Sequence, residues 1–158
     1  MRSKKSWHER LHDSKNLPEV KPIPPRMRRT RGSGTIVIPA PVEVDEIIRQ
    51  VPRGRLITAQ QIADRLAIRH DTTIGCAVTS GIFAWIAAYA ADEAEAAGKT
   101  SITPYWRVLK AGGELNAKYP GGIRNLRRRL AREGHRFHQR EGRVWVVDYE
   151  TRLLGVAE

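Results

Sequence analysis

The run TAQQIADRLAIRHDTTIGCAVTSGIFAWIAAYAADEAEAAG, residues 58–98, decides the fold. Thr58 is a natural N-cap, and Ile62, Ala63 and Leu66 recur at helical spacing to make the inner face of the segment it opens. After the polar break His70, Asp71, Thr72, Thr73, the pattern predicts a long helix from about Ile74 to Ala97, ended by Gly98. Phe83 and Trp85, in their apolar setting, are assigned to the core, as is Cys76 among Ile74, Ala77 and Val78. Two helices joined by a short polar break suggest a helix-turn-helix, a pattern that many small helical domains share.

On the N-terminal side, Val44, Ile47, Ile48 and Val51 form one apolar face of a helix ended by Pro52 and Gly54. Thr35 to Ile38 is a β-prone run stopped by Pro39 and Pro41. Residues 1–34 hold Pro18, Pro22, Pro24, Pro25 and the run Arg26 to Arg31, then the joint Gly32, Ser33, Gly34. They read as a basic arm with a short helix from Ser6 to Ser14. On the C-terminal side, Thr103 to Lys110 is expected to be extended, followed by a turn at Ala111 to Gly113. A helix over Ile123 to Glu133 turns Ile123, Leu126 and Leu130 inward and carries Arg124, Arg127, Arg128, Arg129 and Arg132 on its other face. Arg136 to Gln139 and Arg143 to Tyr149 then read as a β-hairpin. The expectation is a mainly α domain with small β elements over residues 35–150, an arm over 1–34 and a tail over 151–158.

Charge is the outlying quantity of this 158-residue chain: 28 Lys and Arg against 17 Asp and Glu, a net of +11. By segment it is +7 over residues 1–31, −2 over 32–100 and +6 over 101–158, so a neutral scaffold lies between two basic ends. That distribution points to a polyanionic partner. No run approaches the roughly 20 apolar residues of a membrane span, and the N-terminus lacks the apolar core of a secretory signal. A single cysteine excludes an internal disulfide and a cysteine-rich zinc module. The pairs His8 with His12 and His135 with His138 lack a third ligand, so no metal or other cofactor is expected. The resulting expectation is a cytoplasmic, nucleoid-associated monomer without membrane contact.

Three motifs in order then carry a resemblance: Pro104-Tyr105-Trp106-Arg107-Val108, Tyr119-Pro120-Gly121-Gly122, and Leu130-Ala131-Arg132-Glu133-Gly134-His135. They are similar to the Pro-Cys-His-Arg-Val, Tyr-x-Gly-Gly and Leu-x-x-Glu-Gly-His landmarks of the O6-alkylguanine-DNA alkyltransferases. Arg49 to Gly54 and Thr58 to Ile62 resemble the turn and first helix leading into that family's helix-turn-helix. The resemblance covers residues 49–135 and implies a winged-helix-like DNA-binding domain of the family's C-terminal type.

Its departures bear on mechanism. The family's thiolate relay uses Cys, His and Glu; here Tyr105 and Trp106 stand at the first two positions and only Glu133 remains. A phenol with a pKa near 10 is a poor alkyl acceptor at neutral pH, so no enzymatic activity is expected. The resemblance therefore narrows to the alkyltransferase-like proteins, which lack the cysteine and bind alkylated DNA in DNA repair. It implies a base pocket of Tyr105, Trp106, Tyr119, Gly121, Gly122 and Glu133, and DNA contacts from Thr58, Gln60, Thr79, Ser80, Arg107, Arg124, Arg127 and Arg128. Double-stranded DNA, including duplexes that contain O6-alkylguanine, and a repair-protein partner are the implied partners. The family's nucleotide-rotating tyrosine falls at Ala59 and its arginine finger near Cys76, so base flipping and ordinary groove binding both stay open. Two other readings stand beside these: a basic adaptor for plain DNA or RNA, and alkyl transfer onto Cys76.

Overall fold

The computed structural model describes residues 4–155. The first three residues of the expected arm and the last three of the expected tail lie outside them.

Among the described residues six α-helices build a core centred on the longest of them. These are α1 (Trp7–Leu11), α2 (Pro25–Arg31), α3 (Pro41–Arg49), α4 (Ala59–Arg69), α5 (Ala77–Ala96) and α6 (Gly122–Arg132). The strands are β1 (Glu19–Pro22), β2 (Thr35–Ile38), β3 (Ile57–Thr58), β4 (Ile74–Gly75), β5 (Val108–Leu109), β6 (Phe137–Arg140) and β7 (Arg143–Val146). β2 is the middle of a three-stranded sheet, antiparallel to β1 and parallel to β4; β3 pairs in parallel with β5, and β6 with β7 as a hairpin.

α5 owes its central place to its alanines. Ala84, Ala87, Ala88 and Ala91 are buried, and side chains this short let neighbouring backbones approach. α1, α3 and α4 all pack on it, and Val44, Ile47, Ile48, Ile62 and Leu66 fill the space between. α6 contributes Leu126 and Leu130 to the core and exposes Arg124, Arg127, Arg128 and Arg132, but Arg129, expected on that outer face, is turned in over the Tyr105 and Trp106 rings and pairs with Glu95 at 2.6 Å. The hairpin turns Val144 and Val146 inward, and the Leu115 amide donates to the Val144 carbonyl at 2.9 Å. Glu114 grips Arg143 from both carboxylate oxygens, at 2.9 and 2.7 Å.

Four expectations need correction. Residues 4–34 are part of the folded body. β1 pairs with β2 over four residues, Leu11 and Ile23 are buried, and Trp7 meets Trp85 edge-on at 5.0 Å and Tyr89 at 4.9 Å. The first amides of α1, Trp7 and His8, donate to the Glu93 carboxylate of α5 at 3.0 and 3.1 Å, which satisfies helix-end groups that α1 cannot satisfy itself. Likewise, residues 151–155 are not a free tail. The Leu56 amide donates to the Arg152 carbonyl, Leu154 to the Leu56 carbonyl, and Gln61 Nε2 to the Leu154 carbonyl at 2.8 Å. Finally, Ile74 and Gly75 are strand, because Ile36 and Val37 lie alongside them, and the segment after Thr103 is a 3₁₀ turn over Tyr105–Arg107 leading into β5.

Candidate nucleic-acid interface

α4, residues 70–76 and α5 occupy the stretch in which a helix-turn-helix is expected: two helices joined by a short connection that contains β4. The start of α4 is fixed by a reciprocal cap: Thr58 Oγ1 accepts from the Gln61 amide at 3.2 Å and Gln61 Oε1 from the Thr58 amide at 3.1 Å. Gly75 is required in the connection, since a Cβ there would run into the Ala63 carbonyl of α4. Cys76 caps α5, its Sγ accepting from the Thr79 amide at 3.4 Å.

These contacts occupy several of the expected DNA-binding groups. The Thr58 hydroxyl is taken by its cap, and the half-buried Thr79 hydroxyl lies 3.1 Å from Cys76 Sγ. Ser80 is buried and donates to the Cys76 carbonyl at 2.8 Å, which removes it from a groove-facing role. Gln60 stays exposed, donating to Asp64 at 2.9 Å. Arg124, Arg127 and Arg128 are exposed on α6. Arg127 lies over the Phe137 ring, and Arg128 donates to Asn125 at 2.7 Å.

Beside the head of α5 opens a cavity of about 870 Å³, within the ~300–1,000 Å³ typical of small-molecule sites. One wall is an outward stripe of α5: Val78, Gly81, Ile82, Trp85 and Tyr89. Ala59 of α4 closes one side, and Val108 to Ala111 with Asn116 to Tyr119 form the other. Val78 and Ile82 at the mouth are 74% and 52% exposed. Trp85 Nε1 and the Tyr89 hydroxyl both donate to the Lys118 carbonyl, at 3.2 and 3.1 Å, and so tie the two walls together. Burial pushes the Tyr119 hydroxyl's pKa well up, so it stays neutral.

Of the six residues expected to form a base pocket, Tyr119 alone lines this cavity. Tyr105 has no exposed surface; its hydroxyl accepts from Asn125 at 2.9 Å, and burial raises its pKa. Gly121 is the N-cap of α6 with φ 75°, where a Cβ would lie 2.6 Å from that of Asn125, and Gly122 opens the helix. Trp106, Arg107 and Glu133 come together, but as an internal clasp. Glu133 accepts from Trp106 Nε1 at 2.7 Å, from Arg107 Nη2 at 2.9 Å and Nε at 3.0 Å, and from the Gly54 amide at 3.1 Å. Arg107 Nη1 reaches the Val51 carbonyl at 2.6 Å. Burial opposes the Glu133 charge, yet the Arg107, Trp106 and Gly54 donors outweigh it and hold the carboxyl below its ordinary value. Arg107 is thereby committed to the interior and withdrawn from the expected DNA contacts.

Trp85, assigned to the core, faces the cavity, together with Val78, Ile82 and Lys118, which sequence reasoning missed. The i, i+3, i+4, i+7 stripe was there to find, but α5 is apolar on nearly every face, so periodicity does not tell its open side from its packed one. Among the described residues no group of three or more His, Cys, Asp or Glu converges, and no helix is long and apolar enough to cross a membrane.

No family model and no curated protein sequence matches the chain. Among solved structures it is similar to S. pombe Atl1, crystallised in complex with damaged DNA containing O6-carboxymethylguanine. The likeness has a TM-score of 0.50 at 15% identity and covers 73% of this chain and 94% of that one. At that identity it speaks to the fold.

Proposed function

We propose that this protein binds DNA without modifying it, in the manner of the alkyltransferase-like proteins, holding an extruded alkylated base such as O6-alkylguanine in the cavity beside α5. The observation that carries this reading is the position of that cavity. It opens at the first turns of the second helix of a helix-turn-helix, where a duplex seated on that helix would present a base to it. An extruded base is held by stacking and by hydrogen bonds at its edges. Trp85, Tyr89 and Tyr119 supply aromatic surface, and Asn116 and Lys118 supply polar groups. The α6 arginines hold phosphates, which fixes register without reading sequence.

Alkyl transfer has no support in the geometry. Tyr105, at the position of the family's cysteine, is enclosed and protonated, and Glu133 is engaged by Arg107 and Trp106. A binder that leaves the lesion in place acts by marking it, so a repair protein is the implied partner.

The test is binding to matched duplexes with and without O6-methylguanine, for wild type and Trp85→Ala. Wild type is expected to prefer the lesion, and Trp85→Ala to lose about tenfold on lesion duplex, from the ~1–3 kcal/mol of a base–aromatic stack, while keeping its affinity for plain duplex. Equal affinity of wild type for both duplexes would leave groove binding alone. A methyl adduct on Cys76 in the protein's mass spectrum would replace the reading with alkyl transfer.

A further inference from the structure

A separate basic surface stands beside the helix-turn-helix, at the tip of the hairpin made by β1 and β2. The tip is α2, with sequence PRMRRTR. It buries no residue, and no acidic side chain occurs between Glu19 and Glu43. Four guanidinium groups within seven residues repel one another, and the fold does little to relieve them. Arg28 donates to the Ile23 carbonyl at 3.3 Å and Arg31 to Gln60 at 3.5 Å. Arg26 and Arg29 are exposed and reach no other side chain among the described residues.

This tip is docked. The Thr35 amide donates to Thr73 Oγ1 at 3.0 Å and the Thr73 amide to Thr35 Oγ1 at 3.3 Å. Ile36 and Val37 pair with Ile74 and Gly75 in the helix-turn-helix connection itself, and Ile23, 1% exposed, pins the root. Arg31 reaches Gln60, the neighbour of Ala59 on the cavity rim. On the opposite rim Ala117 abuts Gly122, which opens α6 and its arginines.

We infer that the α2 tip is a second phosphate-binding element, which grips the duplex on the Gln60 side of the cavity while α6 grips it on the other. This rests on the DNA-binding reading above. The arginines are held by the sheet at a fixed place, so their contribution is a countable number of phosphates.

Salt dependence counts them. Binding of plain duplex is measured across salt concentrations for wild type, Arg26→Gln/Arg29→Gln, Arg26→Lys/Arg29→Lys and, as control, Lys99→Gln, which follows the C-terminal end of α5, a helix about 30 Å long. Each phosphate neutralised contributes about 0.9 to the slope of log K against log salt. The Gln variant is expected to lose about 1.8 from the slope, and the Lys variant and control to keep it, with unchanged circular dichroism because α2 buries nothing. If wild type binds duplex and the Gln variant keeps the full slope, the inference is overturned and the DNA reading stands. If the slope falls on structured RNA but not on duplex, the tip belongs to RNA and the inference is likewise overturned. A wild type that binds no duplex at any salt overturns both readings. A wild type with no preference for O6-methylguanine duplex, whose slope still falls by about 1.8 in the Gln variant, leaves the tip and removes the base pocket.

Discussion

Replacing Glu133 by Gln tests whether the clasp is a structural joint. Its carboxylate, carried at the C-cap of α6, takes donors from two places, the Val51–Gly54 loop through Gly54 and the 3₁₀ turn through Trp106 and Arg107. Glutamine keeps one acceptor oxygen, turns an NH₂ toward the same donors, and leaves Arg107, at 14% side-chain exposure, without a counter-ion. Breaking one side of a buried pair costs about 3–5 kcal/mol. Arg107 retains the Val51 carbonyl, so the lower end, about 3 kcal/mol at neutral pH, is expected from urea denaturation. The pH dependence gives the sign independently. The folded carboxyl's pKa is depressed, so the clasp's stabilisation is fully present above the unfolded value of about 4.3 and is lost as pH falls through the folded pKa. The gap between wild type and variant should therefore be widest at pH 7 and narrow steadily below about pH 4. A gap under 1 kcal/mol at pH 7, or one that stays constant to pH 3, would refute the reasoning.

Two further substitutions test the parts of the fold that position the interface. Ile23→Ala should destabilise the protein by about 2–4 kcal/mol in urea melts, the cost of truncating a core isoleucine; a change within ±0.5 kcal/mol would mean that the segment before Gly34 is a loose arm after all. Gly75→Ala forces a methyl group against the Ala63 carbonyl and should cost about 1–3 kcal/mol. The same variant should weaken duplex binding by displacing α5 from α4, and unaltered stability together with unaltered binding would contradict the close approach.

Where the signal was local, the sequence was readable. Thr58 with Ile62, Ala63 and Leu66 marks α4; Leu126 and Leu130 against a row of arginines marks α6; the alternation of Val144 and Val146 marks the closing hairpin. Features that depend on distant partners were not readable. Ile74 and Gly75 extend a helical pattern and become strand only because Ile36 and Val37 lie beside them. The N-terminal prolines suggest disorder, yet Pro22 ends an edge strand and Pro25 begins a helix, both places that tolerate a missing amide donor. Arg107 has the look of a phosphate ligand until Glu133, 26 residues on, is found to hold it. Of the three motifs quoted above, Val108 and Tyr119 line the cavity, whereas Tyr105, Trp106 and Glu133 do not, and the rest of the lining comes from residues with no motif to mark them.

The enclosure of Tyr105 also limits what a thiol placed there could do. A cysteine introduced at position 105 would be enclosed, under Arg129 and next to a tryptophan whose only ring donor is already committed to Glu133. Making such a thiol reactive would take at least a second change at Trp106 to supply a base, and a loosening of the Glu133 clasp that Trp106 and Arg107 share. Each of those steps weakens the joint between α6 and the Val51–Gly54 loop before any chemistry is gained. Tyr105 and Trp106 are therefore part of the framework itself, Trp106 through its bond to Glu133 and Tyr105 through the bond it accepts from Asn125.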